Sequence, residues 1–105
     1  MKWEIESLTE ELGNFEISFF ELAEVSPKSR KTKRLCFDAV NYIINNSELV
    51  DIIMNKHILP IKEITDNIKL NRKAIERHRK YIITAVIAIT QDYPAIAEYF
   101  NMREV

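Results

Sequence analysis

Between Leu59 and Gln91 the apolar positions change spacing in a way that predicts three elements in succession. Ile61, Ile64 and Ile68 recur at helical spacing, which predicts a short helix from Leu59 to Ile68 with Pro60 in its first turn, where a missing N–H costs nothing. Lys69-Leu70 reads as a tight turn, and Asn71 is a strong N-cap for a second helix. At 100° per residue, Ala74, Ile75, His78, Ile82, Ala85, Val86 and Ile89 then gather on one side of that helix, which is long. Lys73, Glu76, Arg77 and Lys80 gather on the other side, with Arg72 and Arg79 on the flanks. A short helix, a turn, and a long helix with a basic first half and an oily second half have the layout of a helix-turn-helix DNA reader.

The rest of the chain is also patterned for helices. Ile5, Leu8 and Leu12 alternate with acids and predict a helix over about 3–12, closed by Gly13-Asn14 as a C-cap. Ser18-Phe19-Phe20-Glu21 reads as a capping box, Ser18 toward the amide three residues on and Glu21 reaching back, opening a short helix that ends before Pro27. Phe15, Phe19, Phe20 and Leu22 are expected in the core. After a break over 26–34, Leu35, Phe37, Val40, Ile43 and Ile44 mark a helix of about four turns. Asn46 or Ser47 then caps another helix, with Leu49, Val50, Ile52 and Ile53 on its apolar side. Residues 93–100 read as a terminal helix folding back, and Ile83 and Ile87, outward on the long helix, need a cover that this segment, the N-terminal helices or a partner protein would provide. The expected fold is all-α, one compact multi-helix domain over residues 1–105 that contains the helix-turn-helix.

Composition agrees and adds a charge pattern. With 105 residues the chain suits one core, and a single glycine, Gly13, with three prolines favours long helices. The net charge of −1 averages over segregated blocks. Residues 1–24 carry seven glutamates against Lys2 alone, while residues 28–34 and 69–80 are basic, so two surfaces of opposite character are expected. The lone Cys36 makes no intrachain disulfide and is read as a small core residue, which fits a reducing, cytoplasmic setting; no cysteine or histidine spacing suggests a metal. No segment resembles a signal peptide, and the oily run from Tyr81 to Thr90 is too short to enter a membrane as a span. An enzyme has little behind it: the acids are scattered on helix faces, no glycine loop cradles phosphate, and no nucleophile has a base partner. No catalytic residue, cofactor or metal site is therefore assigned.

The candidate chemistry is recognition. A reading helix must bury one face to hold its angle while the outward N-terminal half enters the major groove. There Arg72, Lys73 and Arg77 donate to guanine O6 and N7 and Glu76 accepts from cytosine N4, with Arg79 and Lys80 completing the set. Lys28, Arg30, Lys31, Lys33 and Arg34 cluster at a helix start, where the helix dipole disfavours cations, and with Lys62 they are candidates for phosphate contact; a solvated basic loop is the alternative. Thr65 stands where the common motif often has alanine and Lys69 where it often has a left-handed glycine. His78 lies inward and is given no chemistry.

The string Arg72-Lys73-Ala74-Ile75-Glu76-Arg77-His78-Arg79-Lys80-Tyr81-Ile82-Ile83, with Ile89-Thr90-Gln91-Asp92-Tyr93 and Glu98-Tyr99-Phe100 after it, resembles the C-terminal domain of the sigma-I (SigI) alternative sigma factors. Leu59-Pro60-Ile61-Lys62-Glu63 and Ser18-Phe19-Phe20-Glu21-Leu22 with Ser26-Pro27 fall where that family has similar residues, so the resemblance covers almost the whole chain. Asn71 replaces a frequent serine and keeps the cap; Gln91 replaces a frequent glycine and suggests that the long helix runs slightly further. The resemblance implies a domain of a longer transcription factor that recognises the promoter minus-35 element when the full sigma factor is bound to core RNA polymerase. It also implies inhibition by the small N-terminal domain of an RsgI-type membrane-anchored anti-sigma factor. In the alternative reading, the main specific contact of the isolated domain is with that anti-sigma domain, on the basic face or on the acidic and apolar N-terminal helices.

Overall fold

A helix that is apolar all round its circumference must be surrounded by others, and the run from Ile82 to Ala88 forms one: all seven of its residues are buried. In the computed structural model, which describes residues 2–100 and so leaves Met1 and 101–105 of the expected domain outside, this run is the middle of α7 (Arg79–Thr90). The preceding helices are α1 (Lys2–Gly13), a 3-10 turn (Phe19–Glu21), α2 (Leu22–Val25), α3 (Arg30–Ile44), α4 (Ser47–Lys56), α5 (Ile61–Asn67) and α6 (Arg72–Arg77). After α7 come α8 (Pro94–Ala97) and a second 3-10 turn (Glu98–Phe100). No strand occurs among the described residues, and the fold is all-α.

Helix α3 lays Cys36, Ala39, Val40 and Ile43 against the core at the i, i+3, i+4, i+7 spacing of a single apolar face, and it packs along α7. Helices α2 and α8 also pack on α7, and its middle, residues 82–88, is buried all round. This settles the cover for Ile83 and Ile87 within the domain: both are 0% exposed. Thr84, also fully buried, satisfies its hydroxyl by donating to the Lys80 carbonyl at 2.8 Å. Cys36 sits in the same core, where burial pushes its thiol up to about 12, so it stays protonated and unreactive.

Several local expectations are revised. In α1 the inward positions are Glu4, Leu8 and Leu12, while Ile5 is on the exposed side. The Glu4 carboxylate accepts from the amides of Ala95 at 3.3 Å and Ile96 at 3.1 Å, and so caps the start of α8 from the opposite end of the chain. The cap of α1 is not made by Gly13-Asn14. Ile17 N–H returns to the Leu12 carbonyl and Glu16 N–H to that of Gly13, with Glu16 left-handed at φ 59°, a Schellman ending whose C″ residue Ile17 is buried beside Leu12. The capping box at Ser18 is also different. Ser18 Oγ accepts from Phe20 N–H, two residues on, and the Glu21 carboxylate turns away to accept from Lys80. Phe15 and Leu22 are in the core and Phe19 packs against it, but Phe20 is 91% exposed: the 3-10 turn directs it outward. Pro60 is the N-cap of α5 rather than a residue of its first turn.

The largest revision concerns the expected long second helix, which is two helices. His78, at φ −102° and ψ 19°, leaves helical dihedrals and separates α6 from α7, although the His78-to-Ala74 and Ile82-to-His78 backbone hydrogen bonds persist across the break. Helix α7 stops at Thr90 with Gln91 as its C-cap, and left-handed Asp92 completes the exit.

Candidate nucleic-acid interface

Helix α5 ends at Asn67, residues 68–71 turn the chain, and α6 begins at Arg72, packed on α5 and α3. The turn is made from extended backbone at Ile68 (φ −134°, ψ 146°) and needs no left-handed residue, so Lys69 in place of glycine carries no penalty. Thr65 is accommodated by donating its hydroxyl to the Ile61 carbonyl at 3.0 Å. Asn71 caps α6 as its type predicts, its Oδ1 accepting from Ala74 N–H at 3.0 Å. Ile75, 0% exposed, anchors the inner face of α6, with Ala74 half-buried beside it.

Arg72, Lys73, Glu76 and Arg77 are brought together on the exposed side of this short helix. Arg72 Nε donates to Glu76 Oε1 at 3.1 Å, an ion pair one turn apart with both side chains about half exposed. Such a pair contributes only ~0.3–0.5 kcal/mol and yields readily to a stronger partner. Lys73 and Arg77 form no ion pair among the described residues, so their donors are directed at solvent. Arg79 and Lys80 lie beyond the bend at His78 and are half-buried, Lys80 with its ammonium on Glu21.

The second basic block is separate from α6 in sequence and opens α3. Ser29 is its N-cap, accepting from Thr32 N–H at 3.1 Å, and Lys28, Arg30, Lys31, Lys33 and Arg34 are all exposed with no acid in the first turn of the helix. Arg34 is held over the Phe37 ring, 5.5 Å from its centroid, and contacts Asp38 at 3.4 Å. The α5–α6 turn meets α3 elsewhere: Ile68, Lys69 and Leu70 share a shallow depression with Asp38, Asn41, Tyr42 and Asn45. Of the block at 28–34, Lys33 lines a cleft together with Tyr81 of the first turn of α7. Lys62 is exposed in the first turn of α5.

That cleft, about 810 Å³, is mostly apolar and was not foreseen from the sequence; Ile5, Phe20, Ile96, Tyr99 and Phe100 are among its walls. Phe20 and Tyr99, 91% and 81% exposed, stand at its edge. Also unforeseen are the roles of His78 and Glu21. Their only sequence signal is a polar residue on an otherwise apolar face and an acid beside two phenylalanines. No group of three or more potential metal ligands occurs among the described residues, and no helix among them is long and apolar enough to cross a membrane.

The fold and this surface define a small all-α domain that presents a short, well-capped basic helix behind a turn. Its relatives are sigma factors. The chain is 42% identical over 98 residues to the RNA polymerase sigma factor SigI7 of Acetivibrio thermocellus, an alignment covering 93% of this chain and 42% of that protein. It is 39% identical over 90 residues to SigI of Bacillus anthracis, covering 86% of this chain and 38% of the relative. To SigI of Bacillus subtilis it is 35% identical over 98 residues, covering 93% and 39%. No protein-family model matches the chain. The chain belongs to the SigI family of RNA polymerase sigma factors, as a domain that spans about 40% of the length of these relatives.

Proposed function

We propose that this domain is the C-terminal promoter-reading unit of its sigma factor and that α5, the turn and α6 form a helix-turn-helix for the minus-35 element. Arg72, Lys73, Glu76 and Arg77 meet base edges or nearby phosphates in the major groove, and Arg79 and Lys80 border them. Lys28, Arg30, Lys31, Lys33, Arg34 and Lys62 grip the DNA backbone, and the full sigma factor on core RNA polymerase supplies the remaining hold. The observation that carries this reading is the opposition on α6 of a fully buried Ile75 and the exposed Lys73 and Arg77, which form no ion pair among the described residues. One face fixes the helix and the other is free to read.

Base contacts and phosphate contacts fail differently when removed. Arg77→Ala is expected to cost about 1–3 kcal/mol on the preferred minus-35 duplex and to relax sequence preference, while Lys31→Ala weakens all sequences alike and lowers the salt slope by about 1. Fluorescence anisotropy on preferred and scrambled duplexes over a salt series measures both. Unchanged binding by both variants rejects the interface.

A second reading concerns regulation and rests on the apolar cleft, since exposed aromatic side chains around a concave surface suit a protein partner. Here an RsgI-type inhibitor domain docks over Phe20 and Tyr99 and blocks the sigma factor sterically, without covering α6. Phe20→Ala is then expected to weaken inhibitor binding at least tenfold and to leave the promoter affinity of the domain unchanged. Direct displacement of labelled promoter DNA by the inhibitor, undiminished in Phe20→Ala, would place the inhibitor on the basic face instead.

A further inference from the structure

The bend that separates α6 from α7 has a specific partner. His78 Nδ1 lies 3.0 Å from the carbonyl oxygen of Val25, a residue 53 positions earlier in the chain. A carbonyl only accepts, so Nδ1 carries the proton and donates. Val25 is the last residue of the four-residue helix α2, where carbonyls have no partner within the helix, and the imidazole supplies one. Two residues beyond His78, the Lys80 ammonium is held by Glu21, the residue that precedes α2. The α2 segment is thus gripped at both of its ends, by the junction residue itself and by a residue in the first turn of α7.

We infer that His78 and the Lys80–Glu21 pair are positioning groups that set the orientation of α6 relative to the core, and through it the sequence discrimination of Arg72, Lys73, Glu76 and Arg77. Three observations converge. The departure from helical dihedrals falls at the residue whose ring meets Val25, so the ring contact and the break in the helix occur at the same position. Helix α6 is six residues long and is anchored on the core in its middle by Ile75, leaving its far end to be fixed at His78. The second tether lies on α7, whose middle, residues 82–88, is fully buried and holds the helix in place if the junction relaxes. Arg77, the last residue of α6, is adjacent to the junction, and the whole exposed row from Arg72 to Arg77 shifts with a change there. Good base contacts contribute about 1–3 kcal/mol each and depend on placement, whereas phosphate attraction tolerates small movements. A loosened junction should therefore lower discrimination more than overall binding.

The reading effect rests on the proposed promoter function; the orientation effect does not, and one experiment separates them. The unaltered domain, His78→Leu, His78→Asn and Glu21→Gln are compared by residual dipolar couplings of the amides of 72–77 against those of 82–88. Binding is measured on a duplex selected by the unaltered domain from a randomised library and on its scrambled counterpart. His78→Leu and Glu21→Gln are expected to change the couplings of α6 relative to α7 and to reduce the selected-to-scrambled affinity ratio about 5–10-fold, with scrambled binding within twofold. His78→Asn, whose side-chain N–H donor stands as many bonds from the backbone as Nδ1, restores most of the ratio, a rescue that a purely space-filling histidine would not give. Unchanged couplings in both His78→Leu and Glu21→Gln overturn the inference. Failure of the library to yield any preferred duplex overturns the promoter reading instead, and the couplings still decide the role of the junction.

Discussion

Replacing Ile83 with alanine is expected to remove about 2–5 kcal/mol of folding stability, among the largest losses available to a single substitution in this domain. Ile83 is fully buried on the flank of α7 that a helical wheel assigns to solvent, and the neighbouring helices that enclose it are parts of the same chain. Deleting three carbons there sacrifices their transfer free energy and leaves a cavity that rigid neighbours fill only in part. Domains of this size are stable by only about 5–15 kcal/mol, so the loss is a large fraction of the total. Urea unfolding followed by circular dichroism measures it. A loss below about 1 kcal/mol would show that this side of α7 is open and is covered by a partner rather than by the domain. The result matters for function because α7 is the fixed body against which α6 is held.

The burial of Ile83 also shows where periodicity stops being informative. A wheel separates two faces cleanly when one of them meets water, as in α3 and α6, and there the inward residues Val40, Ile43 and Ile75 and the outward Lys73 and Arg77 were legible. On α7 both faces are apolar, so the wheel had no solvent side to find. The α5–turn–α6 unit was readable because its signals are local: an asparagine cap, a proline at the helix entry, isoleucines at helical spacing. The bend was not, because its partner is a backbone carbonyl 53 residues away, and any residue type can supply a carbonyl. For the same reason Glu21 looked like half of a capping box. In the fold its carboxylate is taken by Lys80, 59 residues away, which also removes one cation from the outward set that spacing alone had assembled. The cleft was invisible in sequence because exposed and buried phenylalanines are alike in a one-dimensional pattern, and Phe20 differs from Phe15 only in the turn that carries it.

The acidic N-terminal segment gives the second large effect. Glu4 is one of seven glutamates in residues 1–24 and reads as part of a solvated face, yet it is 3% exposed and accepts from two backbone amides at the start of α8. Helix α8 has four residues with Pro94 at its first position, too short to hold itself, and its place on α7 depends on this contact and on Tyr93. The Tyr93 hydroxyl donates to Glu11 at 2.8 Å and lies 3.0 Å from the Ser7 hydroxyl, so α1 tethers the same segment twice. Glu4→Ala leaves the buried Ile96 amide and the part-buried Ala95 amide without an acceptor and is expected to cost about 2–4 kcal/mol, since hydrogen bonds to a charged group are strong and unsatisfied buried donors pay their full desolvation. Glu4→Gln keeps one acceptor oxygen and should lose about half as much. Hydrogen exchange distinguishes this from a general loosening: in Glu4→Ala the amides of Ala95 and Ile96 should exchange faster by a larger factor than those of Val40 and Ile43 in α3. Because Ile96, Tyr99 and Phe100 wall the apolar cleft, undocking of α8 should also weaken any protein that binds there, while α6, held from the other side of α7 by α3 and α5, keeps its exposed residues in place. A Glu4→Ala domain that unfolds within about 0.5 kcal/mol of the unaltered one would show that α8 is held on α1 by packing and the Tyr93 hydrogen bonds and that the Glu4 carboxylate contributes nothing to the cleft.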